Sequence, residues 1–282
     1  MKAIILSTVI LFLLSITTAV QPATINLALF AEEGHDPLVT ALAAAFTREG
    51  LTLQDRSLTG AVTRSLQFPN RYNLTRTEAR NWGLALGVDF YVALRVQMLE
   101  RVDVGTRLYT QCYIALFFIN ARNGELSHFD FVEVRGETLA ATQSAAATEI
   151  VRRIPEYVRR LREAFEQQFI PRQLDEEDRA AIEVPAEGEK EGFKSPVVLV
   201  RRQPDYSETA RKMGISAVVE VEAVLRRDGK IGQVEIVRWA GFGLDEATAT
   251  AVRQLKFKPA TLQGREISCR ALLRYNFNFK VQ

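Results

Sequence analysis

The chain has 282 residues, 47% of them apolar and 25% charged, with a formal net charge of +2. This is the profile of a folded globular protein sized for one to three domains, and its near-neutral balance excludes a whole-chain argument for nucleic-acid binding. The charge is nevertheless uneven: residues 196–282 carry fifteen Lys and Arg against nine Asp and Glu, while residues 174–191 carry eight acids and two bases.

The opening "MKAIILSTVILFLLSITTAVQPA" has Lys2, an apolar core from Ala3 to Leu14, and the small residues Thr17 and Ala19 before a cleavage point. That is the layout of a secretory signal over residues 1–19, so the mature chain is expected to be exported. An uncleaved anchor is the alternative, because residues 3–20 are uncharged and long enough to cross a hydrocarbon core of about 30 Å.

Along the mature chain, "TINLALF" predicts a strand and "LVTALAAAFTREG" a helix, with Asp36 as its cap and Pro37 at its first position. Glu32, Glu33, His35 and Asp36 form a group that a metal would accept, but the spacing matches no standard histidine pattern and Asp36 is explained as a cap. "LTLQDR" predicts a short strand. Thr75 and Glu78 form a capping box ahead of a helix carrying Ala79, Trp82, Ala85 and Leu86, closed by Gly87. Three strands follow, "VDFYVALRVQML", "TRLYTQCYIALFFINA" and "LSHFDFVEVR", the last two joined by a tight turn in which Asn123 and Gly124 are expected at positive φ. Neither face of the middle strand is strongly polar toward its far end. A long helix then carries Leu139, Ala146, Ile150, Ile154, Val158, Leu161 and Phe165, and Pro155 is expected to kink or split it.

This order of elements, with "INLALF", "ARNWGLALGVDFYVALRVQ" and "INARNGELSHFDFVEVRGETLAATQSAAATEIVRRI", resembles the amino-terminal domain of the periplasmic TolB proteins and their relatives among outer-membrane lipoproteins. Residues 24–165 are therefore read as a TolB-like mixed α/β domain. Residues 166–195, charged and poor in large apolar side chains, are expected to form a linker, because they bury too little to offset their ordering entropy.

In the last module, residues 196–282, "PDYSETARKMGI" predicts a helical turn and "AVVEVEAVLRRDGKIGQVEIVRW" two strands around Asp228 and Gly229. A helix from Leu244 follows, its stripe of Leu244, Ala247, Thr248, Ala251, Val252 and Leu255 suited to lie on a sheet. Asp245 and Glu246 in its first turn and Arg253, Lys256 and Lys258 expected in its last suit the helix dipole. In the final strand Ile267, Cys269, Ala271, Leu273, Tyr275, Phe277 and Phe279 alternate strictly with Ser268, Arg270, Leu272, Arg274, Asn276, Asn278 and Lys280, which means one buried face. Cys112 and Cys269 both fall on apolar sides of strands and are expected as buried free thiols.

Pro204 to Phe279 is similar to the carboxy-terminal domain of the TonB family of energy transducers. Pro204, Tyr206, Ala210, Gly214, Asp228, Gly229, Leu244, Asp245, Ala247, Phe257, Pro259, Ala260, Gly264 and Phe277 fall in the family order. The resemblance implies a small antiparallel sheet with two helices on one face, so the whole chain is expected to be α+β. It also implies a non-enzymatic protein that grips an outer-membrane transporter, or another envelope protein, by adding an extended segment of it to an edge strand. The residues implied for that edge are Ser268, Arg270, Leu272, Arg274 and Asn276, with Arg270 and Arg274 pairing acids of the partner. Ser207 replaces the usual proline, and Ser216 with Ala217 replaces a small glycine turn. The Ser and His pairing of the transducer's membrane helix and its long proline-rich spacer are absent.

Three functions stay open at this point: a periplasmic adaptor of two protein-binding modules, a membrane-anchored energy transducer coupled to inner-membrane motor proteins, and a regulator of cell-wall synthesis. A homodimer also stays open. Gly241 and Gly243 lack the third glycine of a dinucleotide loop, and there is no phosphate loop, nucleophile elbow or CxxC, so no enzyme, cofactor or metal is expected. His128 is read as a strand imidazole rather than a general base.

Overall fold

The computed structural model describes residues 24–32, 34–66, 70–105, 107–185 and 191–279, with the backbone alone at Asp36. The expected signal or anchor segment, and Glu33 of the candidate metal group, lie outside them. β1 (Asn26–Ala31) is the apolar opening strand. α1 (Asp36–Arg48) begins one residue earlier than expected, with His35 at the cap position and Pro37 inside the first turn. β2 (Thr52–Leu53) is only two residues long. α2 (Arg56–Ser65), which the sequence reading did not separate, starts where the Asp55 carboxylate accepts from the N–H groups of Ser57 and Leu58 at 2.8 and 3.1 Å.

α3 (Arg76–Leu86) opens on the expected capping box: Glu78 N–H donates to Thr75 Oγ1 at 3.1 Å and Thr75 N–H to Glu78 Oε2 at 2.7 Å. β3 (Phe90–Val102), β4 (Leu108–Asn120) and β5 (Leu126–Gly136) follow as an antiparallel meander. In the turn between the last two, Asn120 Oδ1 accepts from the N–H groups of Arg122 and Asn123 at 2.9 and 3.3 Å. Gly124 takes positive φ, 71°, and Asn123 does not, which corrects the two-residue turn expected there. A side chain at Gly124 would also meet the Arg76 carbonyl.

α4 (Leu139–Gln167) runs unbroken through Pro155, which removes the split from the expected kink or split. Pro155 is exposed on the outer side of the helix, while buried Ile154, Tyr157 and Val158 hold both halves against the sheet. The segment read as a linker carries α5 (Glu176–Ala180), β6 (Ile182–Glu183) and β7 (Phe193–Lys194). β8 (Val197–Val200), α6 (Glu208–Lys212), β9 (Ala217–Leu225), β10 (Ile231–Arg238) and α7 (Leu244–Arg253) come next. β11 (Lys256–Lys258), β12 (Ala260–Leu262), β13 (Arg265–Ile267) and β14 (Cys269–Phe277) complete the described chain. Lys256 and Lys258 are therefore strand residues, and Arg253 is the base in the last turn of α7.

The fold is mixed α and β, with a five-stranded sheet β2-β1-β3-β4-β5 and a four-stranded sheet β10-β9-β14-β6. In the first sheet β1 runs parallel to β2 and β3, and the rest is antiparallel. Leu27, Phe90, Val92, Leu94, Ile114, Leu116 and Phe118 face α1 and α4 on one side. On the other, Phe30, Tyr91, Tyr113, Phe117 and Ile119 pack with Trp82 of α3 and with Trp239 and Phe242 from the last module in a single core. This is the burial on both faces that the apolar β4 required. Cys112 and Cys269 are free and buried, and burial pushes both thiols up to about 11.

The two modules are thus docked rather than tethered. The Asn73 carboxamide donates to the Val218 and Trp239 carbonyls at 2.8 and 2.7 Å and accepts from Val218 N–H at 3.0 Å. Trp239 Nε1 donates to the Gly124 carbonyl at 3.2 Å, and Arg76 bridges Glu125 and Glu235 at 2.9 and 3.1 Å. Gly241, at φ 70°, lies so close that a side chain there would meet Phe129 at 2.7 Å and Phe117 at 2.9 Å.

Candidate partner-binding edge

β14 pairs with β9 along its whole length, from Cys269 opposite Leu225 to Phe277 opposite Ala217. Its buried residues Cys269, Leu273, Tyr275 and Phe277 point toward the helices, as the alternation required. Arg270, Leu272, Arg274 and Asn276 share the outer face and their backbone groups point away from β9, whereas half-buried Ala271 alternates with the inner set. The Ser268 and Arg270 carbonyls accept from Ile182 and Val184 at 3.2 and 3.1 Å, and the Arg274 carbonyl accepts from the Arg201 guanidinium. By the two-residue repeat of a strand, Leu272 and Asn276 present their N–H and C=O groups the same way.

The structure places four of the five sequence-derived edge residues on β14 and Ser268 just before it, in the break after β13, and it divides them. Ser268 and Arg270 are held by the chain's own segment: Ser268 Oγ donates to Glu177 at 2.6 Å, and Arg270 pairs with Glu183 at 3.1 Å. Leu272, Arg274 and Asn276 are exposed. Arg274 is not a free cation, since its Nε donates to Glu220 at 2.8 Å. Glu220 is 5% exposed; burial pushes its pKa up, but hydrogen bonds from Arg274 and Arg238 outweigh that and hold it below the usual carboxylate range. Glu220 and Arg201 were missed from sequence. The signal for the first was present, because "VEVEAV" and "CRALLR" place acids and arginines on the same faces of neighbouring strands, with Arg274 opposite Glu220 and Leu272 opposite Glu222.

The family-pattern residues are structural supports for this edge. The Tyr206 hydroxyl donates to the Ile215 carbonyl, and its ring lies 6.1 Å from that of Phe277. Ala210, Leu244, Phe257 and Ala260 are buried, while Pro204 and Pro259 are half-buried. Gly214, Gly229 and Gly264 take positive φ in turns, and Asp228 accepts from Lys230 N–H at 3.0 Å in the β9–β10 hairpin. Ser207, in place of proline, caps α6 by accepting from Ala210 N–H at 3.0 Å, and Ser216 accepts from Phe279 N–H at 3.0 Å.

Asp245 accepts from the N–H groups of Ala240 and Gly241 at 2.8 Å each and so fixes the loop that enters the shared core. Desolvation pushes its carboxyl up to about 7, against the pull of those two donors. It lines a cleft of about 630 Å³ between the modules, together with His128, Phe129 and Trp239. Burial, then the charge of Arg160, lowers the His128 pKa, and its ring packs 5.4 Å from Phe118. With both Asp245 oxygens occupied and His128 stacked, these groups are arranged for packing rather than proton transfer.

Residues 202–279 match the model of the family described as Gram-negative bacterial TonB protein C-terminal. Among solved structures, the TonB C-terminal domain of Pseudomonas aeruginosa is 20% identical, covering 33% of this chain and 93% of its own, with a TM-score of 0.27. A hypothetical protein of Chlamydia trachomatis is 12% identical, covering 51% of this chain and 98% of its own, with a TM-score of 0.35. A lipoprotein of Neisseria meningitidis is 10% identical, covering 48% of this chain and 98% of its own, with a TM-score of 0.34. No curated protein matches the chain. Among the described residues, no helix is long and apolar enough to cross a membrane.

Proposed function

From a last module that matches the TonB C-terminal family over residues 202–279, we propose that this chain is a non-enzymatic adaptor of the cell envelope, acting in the periplasm. It grips an outer-membrane transporter or a similar envelope protein by strand addition along the open edge of β14 from Leu272 to Phe277. The observation that carries this reading is that edge itself: outward backbone groups at Leu272, Arg274 and Asn276, with no strand beyond β6 laid against them among the described residues. Each added backbone hydrogen bond contributes about 1 kcal/mol net, so three outward residues supply selectivity of register and a modest affinity, which side-chain contacts then raise.

The TolB-like reading of residues 24–165 makes them a second protein-binding module. Because that module shares a core with the last one, the two move as a unit, and the reach of a spacer-borne transducer is not built into the described chain. This favours the adaptor over the transducer.

The test is capture from an outer-membrane extract with the full chain, comparing wild type with Leu272→Pro. Leu272 is 60% exposed and its N–H points outward, so proline there removes an edge donor while leaving the bonds to β9 in place. Loss of capture with an unchanged melting temperature supports the reading; undiminished capture sinks it.

A further inference from the structure

We infer that residues 175–184 are a built-in occupant of the β14 edge, and that the partner segment which replaces them is itself an extended acidic strand. The inference deepens the reading of β14 as the partner edge and rests on it: a parallel segment that lies along Leu272 to Phe277 and begins at the Asp178 position also covers Ser268 and Arg270, and so displaces the occupant.

The occupant is specific in three ways. Its backbone is in register: Ile182 lies beside Cys269 and Glu183 beside Arg270, in a parallel pairing, and Ile182 and Val184 donate to the Ser268 and Arg270 carbonyls. Its acids are individually received. Glu183 meets Arg270, Glu177 accepts from Ser268, and Asp175 pairs with Arg226.

Asp178 is the anchor. It is 5% exposed, accepts from Arg226 Nε at 2.6 Å and from Gln233 N–H at 2.9 Å, and its carbonyl accepts from Arg270 at 3.4 Å. Gly232 leaves the space for it, since a side chain there would fall 2.1 Å from Asp178 Oδ1. The receiving groups belong to the last module, Gln233 and Gly232 to β10, Arg270 to β14, Ser268 to the residue before it and Arg226 to the residue after β9, so the site stays with that module when the segment leaves.

The occupant is also held lightly where it matters. β6 is two residues long, against nine paired positions between β14 and β9, and Ile182 and Val184 are half-buried rather than core residues. Short, partly solvated pairing of this kind opens locally without unfolding the sheet. The spacing of the contacts specifies the replacement: an acid at the Asp178 position, an apolar residue four further on, then an acid for Arg270 and a second apolar residue, running parallel to β14. A tethered occupant acts at an effective concentration of order millimolar, so it raises the threshold for any partner and filters out segments lacking the acidic anchor.

The experiment uses the full chain and a fluorescent peptide of residues 174–185, LDEEDRAAIEVP. Wild type is compared with the double variant Ile182→Pro, Val184→Pro, which loses both edge donors. Release from the tethered competitor is expected to tighten peptide binding by about tenfold or more, and Asp178→Ala in the peptide to abolish the gain. A folded variant that binds no better than wild type, or a peptide indifferent to Asp178→Ala, overturns the inference.

Hydrogen exchange on the wild type keeps it falsifiable should the variant fail to fold. The Ile182 and Val184 amides are expected to exchange at least about a hundredfold faster than those paired between β9 and β14; exchange only with global unfolding refutes displacement. Peptide binding to the opened variant, with an envelope partner that leaves β14 untouched, would keep this occupant and sink the partner reading alone.

Discussion

Asn73→Ala should undo the docking of the two modules more than its small volume suggests. The side chain is 8% exposed and serves three backbone groups, the Val218 and Trp239 carbonyls and the Val218 N–H, at 2.7 to 3.0 Å. Each bond contributes about 1 kcal/mol net, and the buried partners left without one add to the loss, so about 3 kcal/mol is expected in total. With a urea dependence of about 2 to 3 kcal/mol/M, the midpoint of unfolding should fall by about 1 M. The effect should also be non-additive with Arg238→Ala, because Arg238 donates to the Asn73 main-chain carbonyl at 3.0 Å and so positions the same residue whose side chain binds Val218 and Trp239. A midpoint shift worth less than about 1 kcal/mol, or strict additivity of the two changes, would refute the account of a shared core sealed by this side chain.

Gly241→Ala should cost about 3 kcal/mol, since it combines a positive φ of 70° with contacts of 2.7 and 2.9 Å to Phe129 and Phe117. Gly229→Ala, at φ 79° with nothing within 4 Å, should cost only about 1 kcal/mol, and equal melting temperatures for the two would contradict the packing argument. Asp245 makes stability fall with rising pH. Its folded pKa of about 7 lies above its ordinary value of 3.8, so the native state keeps a proton that the unfolded chain sheds between pH 4 and 7. Its contribution is complete below pH 4 and is lost toward pH 7, a change of up to about 4 kcal/mol. Melting curves of wild type and Asp245→Asn should accordingly diverge over that window, with wild type losing ground; parallel curves would refute the assignment.

Much of this architecture was legible because its signals are local. The alternation announced β14 with one buried face, although the strand expected from Ile267 onward is broken at Ser268 and ends at Phe277, and the Thr75–Glu78 box fixed the start of α3. What escaped depends on contacts between distant residues. "DEEDRAAIEV" looked like solvated tether because composition alone cannot show that Arg226, Arg270 and Ser268 wait for its acids, although Ile182 and Val184 flanking Glu183 carry the two-residue spacing of a strand. Nothing in the sequence pairs Trp239 and Phe242 with the first module, and only the fold reveals that they seat against Phe117 at 5.7 Å each. Pro155 does not split α4, because Ile154 on one side of it and Tyr157 and Val158 on the other are buried against the sheet. The strand proposed as the edge was legible from its alternation, but the part of it already occupied was invisible until β6 was seen beside it.

The most direct test of strand addition is residue-resolved amide exchange on the full chain with its captured envelope partner bound. The account predicts new protection at Leu272, Arg274 and Asn276, whose N–H groups point away from β9, while the intervening amides of Leu273 and Tyr275, already bonded to β9, stay unchanged. Protection confined to the cleft between the modules, or to β8, with those three amides unaffected would contradict it.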